Sequence, residues 1–135
     1  MGIQYSVAVR NAQNDSWEST IGTTPILEIR SGAQPADCAT ADSGTLLASM
    51  TLPSDWMDAS DAGEKSKLGT WEDASANASG TAGHYRIKNS GGSTCHEQGS
   101  VTATGGGGDL ILNNTSIASG QPVSITTWDR IRGNA

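Results

Sequence analysis

Hydrophobic and polar residues change their spacing early in the chain, and this change separates a helical start from a β-rich remainder. Over residues 6–20, SVAVRNAQNDSWEST, Val9 and Trp17 fall on one side of a helix with 3.6 residues per turn. Ser6 is a suitable N-cap and Gly22 a suitable stop for that helix. Beyond this glycine, apolar residues occur in short runs bounded by glycine, proline or asparagine, which is typical of strands. The pattern predicts one helix followed by β structure.

About seven short runs in the β-rich part have the length and alternation of strands. Their spacing is that of an antiparallel β-sandwich of jelly-roll type. No internal repeat and no long linker divides the chain, so we predict a single domain over 1–135, with the helix over 6–20, the sandwich over 25–128 and a C-terminal tail over 129–135. The predicted strands are 26–30, 45–52, 65–72, 81–89, 95–104, 109–114 and 122–128.

The apolar positions of these runs predict the core. On the run 81–89, Tyr85 and Ile87 share one face, and His84, Arg86 and Lys88 share the other. The residues expected to be largely buried are Ile26, Ile29, Leu46, Met50, Leu52, Tyr85, Ile87, Val101, Leu110, Leu112, Val123 and Ile125.

Composition and charge limit the partners of the chain. The net charge is −6 with only 8 lysines and arginines, and no basic cluster occurs, so we expect no nucleic-acid binding. No stretch approaches the roughly 20 apolar residues of a membrane helix, and we expect no membrane contact. The first residues lack the layout of a secretory signal, which predicts synthesis in the cytoplasm. Because only 35% of residues are hydrophobic, we expect a homo-oligomer that gains stability from association.

Four segments in order carry a resemblance to a known family: TTPILEIRSGAQPA, GTLLASMTLP, SGTAGHYRIKNSGGSTCHEQGSV and GGDLILNNTSIASGQPVSITTW. They resemble a family of small β-sandwich proteins encoded by tailed bacteriophages, over roughly residues 6–128. The resemblance implies a virion structural protein of the decoration, neck or tail-fibre accessory type and brings no catalytic residues with it. The chain departs from that pattern at 64–72, where relatives are more apolar, and in its Cys95-His96-Glu97 triplet.

This triplet combines a thiol, an imidazole and a carboxylate in the hairpin YRIKNSGGSTCHEQGSV. Neighbours on a strand point to opposite faces, so Cys95 and Glu97 are expected on one side and His96 on the other. A nucleophile needs its base within hydrogen-bond reach, and adjacency on a strand does not give that geometry. We expect a structural hairpin and no enzyme.

Cys38 and Cys95 are the two cysteines of the chain. They are candidates for a disulfide, within one chain or between subunits, and two free thiols are the alternative. A zinc site would need both cysteines and a histidine to converge, and no Cys-x-x-Cys pair specifies one. We therefore predict neither a metal nor another cofactor.

The acidic residues of 55–64, the glycine run and the tryptophans are further candidate sites, and we expect each of them to be structural. Asp55, Asp58, Asp61 and Glu64 recur every three residues but lack the glycine and terminal glutamate of a calcium loop, so we expect a solvated acidic loop. The run TGGGGD, 104–109, precedes a strand and lacks the lysine of a phosphate-binding loop, so we expect a flexible turn. Four dispersed tryptophans are expected to be core or interface anchors, and a sugar-stacking platform is the alternative: Trp17, Trp56, Trp71 and Trp128.

Taken with the resemblance, these features predict a non-enzymatic virion protein that is made in the host bacterial cytoplasm and binds other virion proteins. The favoured role is a capsid decoration protein that cements neighbouring capsid subunits. Its contact surfaces would be the N-terminal helix or the loops 31–43 and 53–64, because long loops commonly carry binding. The alternatives are a neck, tail or fibre accessory protein and a receptor- or carbohydrate-binding module.

Overall fold

A computed structural model describes residues 2–132, and the helix α1 (Val7–Ile21) lies at the start of this range. Ser6 caps the helix, since its hydroxyl oxygen accepts a hydrogen bond from the backbone N–H of Val9 over 3.2 Å. Gly22 ends it with φ of +91°, a conformation in which glycine has no Cβ to clash, and returns its N–H to the last turn. The helix predicted over 6–20 is confirmed with a shift of one residue at each end.

Ten strands follow the helix within residues 2–132, more than the seven that the sequence predicts. The run 65–72 is interrupted at Gly69 (φ +74°) and forms two short strands. The predicted C-terminal tail is wrong for residues 129–131, which form a strand, and 133–135 lie outside the described residues. The strands are β1 (Ile26–Ser31), β2 (Leu46–Thr51), β3 (Glu64–Ser66), β4 (Trp71–Asp73), β5 (Gly80–Lys88), β6 (Cys95–Ala103), β7 (Leu110–Leu112), β8 (Ser116–Ile117), β9 (Val123–Ile125) and β10 (Asp129–Ile131).

The main sheet has the strand order β2-β1-β5-β6-β7, and β8 adds to β5 beyond this path. All pairs are antiparallel except β6 with β7, which run parallel. Such a pair normally needs a long crossover. Here the chain reverses twice within the glycine run, where Gly105 and Gly107 take φ of +88° and +75°. The run is therefore a compact double turn that folds back along β6.

Two small sheets, β3 with β10 and β4 with β9, accompany the curled main sheet. The chain is thus mainly β with one short N-terminal helix, as the sequence predicts. One cluster of buried side chains joins the main sheet to the small sheet of β4 and β9, with Ile29 and Tyr85 from the first and Trp71 and Ile125 from the second. The hydrophobic core lies between these elements.

Burial confirms the predicted core except at two positions, Ile26 and Leu46, which are only partly buried. A β-bulge explains the partial exposure of Leu46. The pairing of β1 with β2 shifts between Ala48 and Leu46, so Leu47 is the extra residue and turns into the core beside Ala48. Residues outside the predicted list are also buried: Ile21, Leu27, Leu47, Met57 and Ile117, together with Trp56 and Trp71, which the sequence predicts as core or interface anchors.

β5 is buried on both faces. Tyr85 and Ile87 face the hydrophobic core, while His84, Arg86 and Lys88 face the opposite side and are only 0%, 2% and 7% exposed. An antiparallel strand usually leaves its polar side chains in water. Here a segment without helix or strand, residues 32–45, covers them, and we call it the covering loop.

Candidate functional site

The hairpin of β5 and β6 separates the side chains of the Cys95-His96-Glu97 triplet. Pairing shifts from Ile87–Glu97 to Lys88–Cys95, so His96 is the extra residue of a bulge. Cys95 therefore turns toward the covering loop, while Glu97 turns toward the tryptophans on the other face. The prediction that Cys95 and Glu97 share a face is wrong, because strict alternation fails at a bulge. The two side chains cannot act on one substrate across the sheet.

The covering loop rests on a polar face made by the neighbouring strands β1 and β5. Arg86 is its central group. The guanidinium Nη2 donates to three backbone carbonyls of the loop at 3.0–3.1 Å, those of Asp37, Cys38 and Thr40. These carbonyl groups would otherwise need water, so Arg86 serves as the internal hydrogen-bond partner of a loop that lacks regular structure.

Asp42 connects the loop to three cations of the polar face. Its carboxylate accepts from Arg86 and Lys88 at 2.6 Å each and from Arg30 at 3.2 Å. Glu28 adds a second carboxylate, 3.1 Å from Lys88 and 3.0 Å from Arg30. Burial alone would raise the pKa of Asp42, but the hydrogen bonds from Lys88 and Arg86 outweigh it and lower that pKa to about 2. The loop is thus fixed by an ionic cluster in which the cations are largely buried and the Asp42 carboxylate is partly exposed.

His84 extends the polar face toward the start of the covering loop. Its Nδ1 lies 2.9 Å from the carbonyl oxygen of Gly32, and with a proton on Nδ1 the ring donates there. The other ring nitrogen, Nε2, is buried with no protein partner. This arrangement anchors the loop start to β5, and His84 is 0% exposed, so it does not face a substrate.

Cys38 of the covering loop and Cys95 of β6 meet at the rim of the polar face. Their Sγ atoms are 2.8 Å apart, and both residues are partly exposed. They border an opening of about 300 Å³ that Arg86 and Lys88 also line. Burial and the neighbouring Cys38 raise the pKa of the Cys95 thiol to about 12. The pairing that the sequence allowed is therefore possible within one chain, and no bond is present.

The tryptophans, dispersed in sequence, form a closed ring in space. Successive indole centroids lie 5.1 Å apart for Trp17 and Trp56, 5.9 Å for Trp56 and Trp71, 5.5 Å for Trp71 and Trp128, and 5.9 Å for Trp128 and Trp17. The tilted and edge-to-face geometries are those that aromatic pairs prefer. We call this the tryptophan ring. Through these four side chains, α1, the segment 53–63, β4 and the residue before β10 pack against one another.

Each indole N–H of the tryptophan ring has an acceptor inside the chain, at 2.9–3.1 Å. Trp56 and Trp71 are 0% exposed and belong to the core, so they offer no surface to a partner or a sugar. A sugar-stacking platform needs several tryptophans exposed together, and Trp56 and Trp71 do not meet this requirement. Trp17 and Trp128 are half-buried, and their role as interface anchors stays a prediction.

Glu97 fastens the tryptophan ring to the main sheet. Its carboxylate accepts from Trp17 Nε1 at 3.0 Å, from the Tyr85 hydroxyl at 2.8 Å and from Arg130 at 3.1 Å. The Arg130 guanidinium also lies 4.9 Å from the centroid of the Trp17 ring. Burial, and then the charge of Glu97, raises the pKa of Tyr85 far above its usual value. Because three donors already hold this carboxylate, its role is structural.

The acidic residues of 53–64 make local contacts, and all but Glu64, the first residue of β3, lie outside the strands. Asp58 accepts from the N–H of Ser66 over 2.7 Å, and the backbones of Asp61 and Glu64 pair with each other. As the sequence predicts, Asp55, Asp58 and Asp61 lie in a loop, which ends where β3 begins at Glu64. Within residues 2–132, no group of three or more histidine, cysteine, aspartate or glutamate side chains has an arrangement suited to a metal ion.

The N-terminal segment, residues 2–9, contains most of the exposed apolar surface. Among residues 2–132, six large hydrophobic side chains are exposed, and four of them lie here: Ile3 (71%), Tyr5 (40%), Val7 (47%) and Val9 (43%). The segment has no charged side chain, and Arg10, directly after it, donates to the carbonyl of Ala62. Exposed apolar groups concentrated in one segment make it a candidate surface for binding another protein.

Sequence reasoning identified the cysteines, the tryptophans and the N-terminal helix as candidates, but it did not predict that the polar face is buried or that the exposed apolar residues gather in the N-terminal segment. The N-terminal segment has a signal in the sequence, since apolar residues occupy every second position from Ile3 to Val9.

None of the helices in the range 2–132 has the length and apolar character needed to span a membrane. No family model, no curated protein and no solved structure matches the chain.

Proposed function

We propose that the chain is a non-enzymatic structural protein of a tailed-bacteriophage virion, made in the host cytoplasm, and that it decorates the capsid by binding neighbouring capsid subunits. The ordered sequence segments over 6–128 support the class, and the mainly β fold with an N-terminal helix is compatible with it. We also propose that the curled main sheet and the small sheets act as the two layers of a sandwich. Their shared core supports this arrangement.

The observation that carries the binding role is the exposed N-terminal segment. Ile3 before α1 and Val7 and Val9 in its first turn lie outside the core. Burying a large aliphatic side chain contributes about 1.5–3 kcal/mol, so the segment supplies a favourable term that the isolated chain leaves unused. Association has its own entropic cost, and many copies on one particle would offset a modest affinity per site.

An acidic chain suits a protein surface better than the packaged genome. With a net charge of −6, contact with phosphates would be repulsive, whereas neutral residues 2–9 can dock without that penalty. We propose the major capsid protein as the partner and a homo-oligomer as the bound form. The mass of the purified chain in solution, from light scattering, tests the oligomer by itself.

Location in the particle is the direct test. A map of virions that contain the chain should show it in many copies on the capsid surface, between neighbouring capsid subunits. Particles lacking it should assemble and then lose DNA on heating or in low salt. Density restricted to a few rings of copies at the neck or tail would overturn the decoration role and leave an accessory role.

Substitution in the N-terminal segment tests the surface. The triple variant Ile3→Ser, Val7→Ser, Val9→Ser should fold normally, because exposed substitutions change stability by about 0.5 kcal/mol or less each. It should bind particles that lack the chain about tenfold more weakly or worse. The matched control is Leu68→Ser with Ile131→Ser, which removes exposed apolar groups elsewhere and should bind like wild type. Equal binding by both variants contradicts the proposed surface.

A further inference from the structure

We propose that Cys38 and Cys95 form a disulfide within one chain, which fastens the covering loop covalently to β6. The inference does not depend on the proposed function, because it concerns how the loop is held closed. It selects among the alternatives that the sequence left open: a bond within the chain, a bond between subunits, or two free thiols.

Proximity is the first reason. The two Sγ atoms are 2.8 Å apart, and a bond needs about 2.05 Å, so less than 1 Å of movement is required. The partners come from residues 57 positions apart in sequence, and the fold itself holds them together. Pairs fixed in this way react as if at very high local concentration. An intramolecular bond therefore outcompetes one to a second copy.

The surroundings hold both cysteines in place before any bond forms. Arg86 donates to the carbonyl of Cys38 at 3.1 Å, and Cys95 pairs with Lys88 in the sheet. The Cys95 thiol also lies 3.4 Å from the carbonyl oxygen of Glu97. The opening of about 300 Å³ beside the pair gives a small oxidant access to it.

The reaction is a thiol–disulfide exchange with a low-molecular-weight disulfide such as oxidised glutathione. The thiolate of Cys38 attacks one sulfur of that disulfide, forms a mixed disulfide and releases one glutathione. Cys95 then loses its proton, its sulfur attacks the Cys38 sulfur, and the second glutathione leaves. The protein loses two protons and two electrons, and the oxidised glutathione gains them as it becomes two glutathione thiols. Burial raises the pKa of Cys95 to about 12, so Cys95 reacts second, as the resolving thiol.

The disulfide would add a covalent attachment of the covering loop to the ion pairs that already hold it. In the reduced chain, ion pairs of Asp42 with Arg86 and Lys88 hold the loop, and these weaken when Asp42 is protonated or salt is high. A disulfide does not respond to either condition. Closing a long segment of chain also reduces the entropy of the unfolded state, by an amount that corresponds to a melting temperature about 5–15 °C higher.

The test treats the purified full chain with oxidised glutathione and, separately, with dithiothreitol. After oxidation we expect no free thiols, a mass lower by two hydrogens, a monomer-sized band on a non-reducing gel, and a melting temperature about 5–15 °C higher that dithiothreitol reverses. Cys38→Ser and Cys95→Ser should each remove the redox-dependent increase. Because thiol count and mass are measured on the wild type, the outcome stands even if a variant folds poorly.

The coupling to Asp42 is the readout that distinguishes a fastened loop from an incidental bond. Asp42→Asn should lower the melting temperature more in the reduced chain than in the oxidised chain, since the disulfide holds the loop when the ion pairs are lost. Persistent free thiols, a stable glutathione adduct, or a disulfide-linked dimer would each overturn the proposal.

Discussion

Arg86 on β5 and Asp42 in the covering loop form a 2.6 Å ion pair, with the arginine side chain 2% exposed and the aspartate side chain 31% exposed. The cation is therefore buried in the fold, and the carboxylate reaches it from the surface. Arg86 cannot turn outward, because its Nη2 group is committed to loop carbonyls. The loop closes over the sheet because it carries the acceptors that a buried arginine needs.

Asp42→Asn should destabilise the reduced chain by about 3 kcal/mol, the lower end of the cost of breaking a buried ion pair, because the carboxylate is partly solvated. The change leaves Arg86 and Lys88 buried with less compensation, although Lys88 keeps Glu28. Urea unfolding in dithiothreitol measures it. The matched control is Asp61→Asn in an exposed turn, which should change stability by about 0.5 kcal/mol or less.

The same pair predicts a pH dependence. The pKa of Asp42 is lowered to about 2 in the fold from 3.8, so its contribution is present above pH 4 and disappears as the pH falls toward 2. The difference in unfolding free energy between wild type and Asp42→Asn should therefore be constant above pH 5 and shrink below pH 4. A difference that stays constant down to pH 2 would show that the carboxylate charge does not hold the loop.

Periodicity predicted the elements of the fold better than the faces they bury. Alternation placed Tyr85 and Ile87 in the core correctly, because apolar residues at every second position mark the buried face of a strand. The same alternation gives no indication that Arg86 and Lys88 are buried. Their cover comes from a loop without periodicity, and the only trace of it in the sequence is one aspartate that could neutralise them.

Bulges and long-range convergence account for the remaining differences. One extra residue in a strand exchanges the faces of all residues beyond it, as His96 does for Cys95 and Glu97. The tryptophan ring brings together residues up to 111 positions apart, Trp17 and Trp128, and no local pattern encodes that contact. Dispersed aromatic residues identify a core, but they do not reveal where it lies.

Gly83→Ala should destabilise the chain strongly. A Cβ at this position would overlap the carbonyl oxygen of Gly32, a backbone atom at the start of the covering loop that cannot rotate away. Overpacking of this kind costs about 1–3 kcal/mol, and the rigid backbone places it at the upper end. Gly91→Ala is the matched control, since its Cβ would meet nothing closer than 4.0 Å. Thermal melts of both variants compare them, and equal melting temperatures would contradict the close approach.

Trp56→Ala should cost about 4 kcal/mol, because it empties a fully buried site in the tryptophan ring. It also removes the indole N–H that donates to the carbonyl of Gly22 at the end of α1 over 2.9 Å. We expect α1 to lose amide-exchange protection before the main sheet does. Leu68→Ala, at a side chain 40% exposed, is the control and should change stability by less than about 1 kcal/mol. Similar losses in both variants would contradict the central place of the ring.

The Tyr85 hydroxyl should make the fold sensitive to alkaline pH. Burial, and then Glu97, raises the pKa of Tyr85 far above the ordinary value of 10, so the phenol stays neutral in the fold while the unfolded chain ionises it. Stability from this group is fully present below pH 10 and is lost above it, by about 1.4 kcal/mol per pH unit.

Tyr85→Phe separates this contribution from all other alkaline effects. At pH 8 the variant should be less stable than wild type by about 1.5–3 kcal/mol, because a hydrogen bond of 2.8 Å to a carboxylate is removed. At pH 11 the deficit should shrink by about 1.4 kcal/mol, since phenylalanine cannot ionise in the unfolded chain. Urea unfolding at the two pH values measures both, and a deficit that is the same at pH 8 and pH 11 would contradict the buried neutral phenol.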